Sequence, residues 1–181
     1  MPWIETDRLR LRPFGPDDAE ALHRVVYSDP AVMAFLPGRA PRPLQRTEEA
    51  IEFFLDHWRR HGFGAWAVGR GADGVLLGQV GLQYLSNSQD VELFYAIGSP
   101  YWGQGYATEA GRASLRYGFE EIKLRRIVGL VAPDNEASER VLRKLGMHYE
   151  RMARHYGMKL KQFAIADSQF DPGEGAYHLH D

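Results

Sequence analysis

Two stretches of this 181-residue chain combine residue types and spacings that could do chemistry. The first is "YWGQGYATEA", Tyr101 to Ala110, where Gly103, Gly105 and Ala107 alternate with larger residues before a run of good helix formers. The opening N–H groups of a helix have no partners inside it, and the aligned peptide dipoles make that end electropositive. Bare backbone there lets an anion reach the amides, so a phosphate-bearing cofactor is the functional reading of the turn. The same glycines would also serve a tight strand-to-helix connection, and a lone G-x-G does not separate the two. The second stretch is "DVELFYAIG", whose alternation puts Glu92, Phe94 and Ala96 on one face and Val91, Leu93, Tyr95 and Ile97 on the other. Glu92 is thus a carboxylate in an otherwise apolar strand. Burial would raise its pKa toward the range of a base working near neutrality, while a place near the strand's beginning also suits a solvated carboxylate.

The elements that must position these residues follow from periodicity. "RLRLRPF" alternates as a half-buried strand closed by Pro13, and "GPDDAEALHRVVYSD" follows as a helix with acidic residues in its first turn. A second helix is expected from about Leu44 to Arg60, with Ile51, Phe54, Leu55 and Trp58 at helical spacing. "FGAWAVGR", "VLLGQVGLQYL" and "DVELFYAIG", separated by "GADG" and "SNSQ", read as an antiparallel meander. Beyond Tyr101 the order becomes helix (Thr108 to Glu120), strand (Arg125 to Val131), helix (Glu136 to Leu145), then strands at Tyr149 to Arg154 and Lys161 to Ala166. The expected fold class is α+β, a mixed, mostly antiparallel central sheet flanked by helices. Ala107, Gly111, Ser114 and Gly118 form a stripe of small residues that would let the helix after the glycine turn lie close to that sheet.

Bulk properties narrow the classes. The length suits one domain burying ~70% of its surface. The composition, 44% hydrophobic and 25% charged, is that of an ordinary globular protein. A formal charge of −2 argues against a general nucleic-acid or anionic-membrane binder. No apolar run approaches the ~20 residues of a membrane span, and "MPWIETDRLRLR" lacks a signal-peptide core, so a cytoplasmic protein is expected. With no cysteine there are no disulfides and no thiol nucleophile, and His148, His155, His178 and His180 do not form a metal-binding spacing. A dinucleotide fingerprint fits poorly, since Thr108 stands where its third glycine would be and a meander precedes it.

The segment "IGSPYWGQGYATEA" resembles the acyl-CoA pyrophosphate loop of the GNAT N-acyltransferase superfamily. "TDRLRLRPFGPDDAEAL" and "VAPDNEASERVLRKLGM" resemble segments of its branch that includes ribosomal-protein N-terminal (alanine/serine) acetyltransferases. The likeness runs from about Thr6 to Phe170, and implies one domain over residues 1–170 with 171–181 as a C-terminal tail, "HLHD" being flexible. It implies the acyl-CoA N-acyltransferase fold and an N-acetyltransferase that moves an acetyl group from acetyl-CoA to a primary amine by direct attack. The acceptor would be a protein N-terminal amine or a small-molecule amine. Trp102, Gly103, Gln104, Gly105, Tyr106, Ala107 and Thr108 would cradle the diphosphate, although Trp102 stands where the superfamily has Gln or Arg. Backbone near Ile97 and the side chain of Asn135 would hold the pantetheine arm, Asn135 being equally well placed as a helix cap.

The resemblance makes Glu92 the base and Ser138 a candidate acid, with water as the other proton source and a helix-terminus role as the other reading of Ser138; Leu142 stands where many members have a catalytic Tyr, and Phe94 where the branch commonly has Gly. Arg140, Arg143 and Lys144 could neutralise phosphates or simply form a solvated face, and Trp58, Trp66, Tyr84 and Phe94 could line an acceptor cleft or the core. No metal is implied, and a homodimer paired through sheet edges is compatible with the chain. The other reading, a non-catalytic acyl-CoA-binding module, keeps the glycine turn and Asn135 and gives no chemistry to Glu92 or Ser138.

Overall fold

The computed structural model describes residues 1–86 and 88–181. Nine strands form one sheet in the order β7-β8-β6-β5-β4-β3-β2-β1-β9. They are β1 Trp3–Glu5, β2 Leu9–Arg12, β3 Ala65–Arg70, β4 Leu76–Tyr84, β5 Val91–Ile97, β6 Arg126–Val131, β7 His148–His155, β8 Met158–Ala166 and β9 His178–His180. Every pairing is antiparallel except β5 with β6. The meander expected from the three apolar strands is β3-β4-β5, and its connection Ser86 to Gln89 includes Asn87, which lies outside the described residues.

Helices cover both faces, because the central strands β3, β4 and β5 carry apolar residues at both parities. On one face Val80, Leu82, Leu93, Ile97 and Ile127 pack with α4 (Tyr106–Glu120) and α5 (Glu136–Lys144). On the other, Ala65, Ala67 and Ala96 pack with α1 (Asp18–Leu22), α2 (Pro30–Met33) and α3 (Leu44–His61). The small-residue stripe does bring α4 close: a Cβ on Gly111 would lie 2.8 Å from Leu145 Cδ1, and one on Gly118 2.8 Å from both Ile127 and Leu82. Larger residues would have to push the helix off the sheet. No helix among the described residues is long and apolar enough to cross a membrane.

Two features depart from the sequence reading, and one open alternative resolves. The helix expected through Ser28 continues from α1 as a π-helical turn, His23–Tyr27, and then stops; Asp29 caps the separate α2, its carboxylate accepting from Ala31 N at 2.9 Å. Residues 178–180 are not a loose tail: His178–His180 pairs with β1, and the His180 ring stacks on Trp3 with centroids 3.8 Å apart. Trp58 and Trp66 belong to the core, their indole N–H groups donating to Ala65 O and Pro2 O.

Candidate active site

β5 is the axis of the site. It pairs with β4 along its whole length, but with β6 only at Glu92 and Leu93. From Phe94 to Ile97 the two parallel strands part, so one edge of β5 has no partner strand. That parting opens a cleft of about 550 Å³ between β5, the glycine turn and α5. Its lining includes Ile97, Trp102, Gly103, Gly105, Tyr106, Ala107 and Thr108 from one side and Asn135, Ser138, Arg140 and Lys144 from the other.

The glycine turn is built as its sequence suggests, for two reasons at once. Gly103 and Gly105 have φ of +74° and +82°, a left-handed backbone that costs most other residues ~1–2 kcal/mol. Gly105 is the N-cap of α4 and no side chain caps that end, so its first N–H groups face the cleft without a partner from the helix. Trp102 stays exposed, but its Nε1 donates to Ile97 O at 2.7 Å, which ties the turn to the end of β5. Gln104 is the exception among the expected cofactor residues. It does not line the cleft: its side chain donates to Pro100 O and its carbonyl accepts from Arg8 Nη1 at 2.9 Å. Arg8 also grips Glu109 of α4 through Nε at 2.7 Å, so the turn before β2 braces this helix end. Sequence reasoning had no signal for that contact, made across 101 residues.

At the start of α5, Asn135 Oδ1 accepts from Ser138 N at 3.1 Å, so Asn135 does cap the helix. Its Nδ2 makes no hydrogen bond among the described residues and remains a donor beside the cleft. Of the three helix cations, Arg140 and Lys144 line the cleft, whereas Arg143 pairs with Glu139 and lies over the Phe163 ring.

A second cavity of about 250 Å³ lies on the sheet face that carries Glu92 and Phe94. Phe35, Leu36, Tyr95 and Ser138 line both spaces, so the two meet there. Glu92 is 5% exposed, and burial pushes its carboxyl up to about 7 even though two donors hold it. Tyr156 Oη donates to Glu92 Oε2 at 2.5 Å and Gln83 Nε2 donates to the same oxygen at 3.1 Å. Gln83 also bonds Tyr156 Oη at 2.9 Å, closing a three-residue ring. Tyr156 sits at the tip of the β7–β8 hairpin; burial and the neighbouring Glu92 raise its own pKa, so it stays a proton donor.

Where the cavities meet, Tyr95 Oη lies 2.8 Å from Ser138 Oγ and 3.2 Å from Ser138 O. Burial raises the Tyr95 hydroxyl pKa far above neutrality, so it too keeps its proton. Leu142 is buried in the core and Phe94 forms part of the wall of the second cavity; Tyr84 lies elsewhere, against His57, His61 and Phe63. Sequence reasoning missed Gln83, Tyr95 and Tyr156: Gln83 stands opposite Glu92 through the β4–β5 register that the structure shows, and the contacts of the two tyrosines are not local.

Comparison with known proteins agrees with this architecture. Residues 8–148 match the acetyltransferase (GNAT) domain. YkkB of Bacillus subtilis (strain 168) is 35% identical over 155 residues, 84% of this chain and 89% of that protein. The N-acetyltransferase YoaA of the same organism is 31% identical over 157 residues, 86% of this chain and 88% of its own. The crystal structure of an acetyltransferase from Agrobacterium tumefaciens str. C58 superposes with a TM-score of 0.81 at 26% identity, covering 91% of this chain and 94% of that one. With the domain match spanning most of the sequence and a parted β5–β6 pair beside a glycine turn at its centre, the chain belongs to the GNAT family and is an N-acetyltransferase.

Proposed function

We propose that the chain takes its acetyl group from acetyl-CoA and passes it to a primary amine by direct attack, with Glu92 as the base and Ser138 as the acid. The observation that carries this reading is the buried Glu92, which faces a cavity that meets the cofactor-sized cleft at Tyr95 and Ser138. The amine must lose its ammonium proton before it can attack, and a carboxylate titrating at about 7 takes that proton, directly or through water, without being fully neutralised at physiological pH.

Gly103, Gly105, Tyr106, Ala107 and Thr108 would receive the diphosphate on backbone N–H groups, with Arg140 and Lys144 adding positive charge. The open edge of β5 would hold the pantetheine arm as an added strand, assisted by Asn135 Nδ2. As the carbon–sulfur bond breaks, the thiolate takes the Ser138 hydroxyl proton. Tyr95 Oη, 2.8 Å away, hydrogen-bonds the serine oxygen as that proton leaves, and Ser138 recovers a proton from water after the thiol departs. The test is a calorimetric titration with acetyl-CoA, with NADH as control, followed by CoA-release assays on an amine panel. Saturable acetyl-CoA binding with amine-dependent release is expected; binding without turnover would overturn the catalytic roles.

A further inference from the structure

The acceptor cavity has an arrangement that the transfer chemistry does not require. Two of its lining residues are charged, Glu92 and Arg42. Glu92 is engaged by Tyr156 and Gln83. Arg42 is half-buried and makes no ion pair among the described residues. Its Nη2 donates to Pro37 O, and its guanidinium carbon lies 5.6 Å from the centre of the Tyr27 ring. These contacts fix the group without neutralising it, an uncompensated charge that a partly buried site tolerates poorly.

Gln79 extends the same wall. It is 5% exposed, and its Oε1 accepts from the buried Tyr27 hydroxyl at 3.1 Å. Its Nε2 has no acceptor among the described residues, though Gln79 lines the cavity. A stacked guanidinium and a pinned amide thus leave donors waiting for an acceptor-rich group, ideally a carboxylate. Along the sheet, Gln79 pairs with Ala96 and Gln83 with Glu92, so the donor wall and the base are four residues apart, ~13 Å of strand. Between them stand Phe94, Phe54 and Leu36, which offer an apolar surface.

Resting on the transferase reading above, we propose that the acceptor is a small primary amine bearing an anionic group on an apolar body, the amine at Glu92 and the anion at Arg42 and Gln79. Polyamines fit badly, since a second ammonium would meet Arg42 and find no second carboxylate.

Three amines that share one aromatic body separate the possibilities: 4-(aminomethyl)benzoate, its methyl ester, and 1,4-bis(aminomethyl)benzene. CoA release is followed with each, on the wild-type protein and on Arg42→Gln and Arg42→Lys. The expected result is a kcat/KM for the carboxylate at least tenfold above those of the ester and the diamine. Arg42→Gln should bring the carboxylate-to-ester ratio within about twofold of unity, and Arg42→Lys should keep part of the preference. An ester or diamine used as well as the carboxylate would overturn the proposal and leave the transferase reading standing, as would a ratio untouched by Arg42→Gln. No CoA release with any of the three, while acetyl-CoA still binds, would overturn both.

Discussion

Replacing Glu92 by Gln should make the protein more stable at alkaline pH while disabling it. The native carboxyl titrates at about 7 against an ordinary value of 4.5, which at ~1.4 kcal/mol per pH unit is about 3 kcal/mol at most. The sign follows from which state binds the proton more tightly. Because the folded pKa is raised, the native state holds a proton that the unfolded chain has lost, so stability is greatest below about 4.5. It declines as pH rises through 7 and is then constant. Between pH 5 and pH 8 this single group should cost wild type about 2–3 kcal/mol, and Glu92→Gln should lack that slope. For a chain of this size the gap corresponds to ~5–10 °C in Tm. Urea denaturation of both proteins at pH 5, 6, 7 and 8 measures it, with kcat recorded in parallel. Turnover should fall by ~10²-fold or more, with the acetyl-CoA Kd within about twofold of wild type. Stability curves that stay parallel across this range would show that Glu92 does not titrate abnormally, and the argument for it as base would fail with them.

Other residues of the site give sharper separations. Tyr156→Phe removes a donor that lowers the Glu92 pKa, so the acidic limb of the kcat/KM profile should move to higher pH; an unmoved limb would mean the hairpin tip does not act on the base. Ser138→Ala and Tyr95→Phe should each lower kcat by ~10-fold or more, and the double variant should lose little further, because the two hydroxyls act as one hydrogen-bonded unit. Independent, additive losses would contradict that pairing. Asn135→Asp keeps an oxygen for the Ser138 amide but no Nδ2 donor, so it should hold its Tm and bind acetyl-CoA more weakly. Asn135→Ala should lose both, with ~1 kcal/mol of helix stability gone; equal affinity in Asn135→Asp would make the residue a cap alone.

The sequence by itself determined most of the elements and the place of the glycine turn before α4. Period-two and period-3.6 patterns located the main strands and helices, since local alternation is what buries one face of each. Gly103, Gly105 and Ala107 marked a helix beginning that needs bare backbone, and the left-handed angles at both glycines are the physical reason that only such residues fit. Glu92 was visible as a carboxylate in an apolar strand, whereas its strand partner Gln83 came only with the observed register. Only the tertiary structure decided that Glu92 is buried rather than solvated, and that Tyr156, 64 positions away on another hairpin, donates to it. It alone placed Tyr95 against Ser138, joined residues 178–180 to β1, and set Arg42 over Tyr27 in the wall of the second cavity. Such contacts depend on how helices and hairpins dock across the sheet. Local periodicity carries the face a residue occupies and not the partner it meets there.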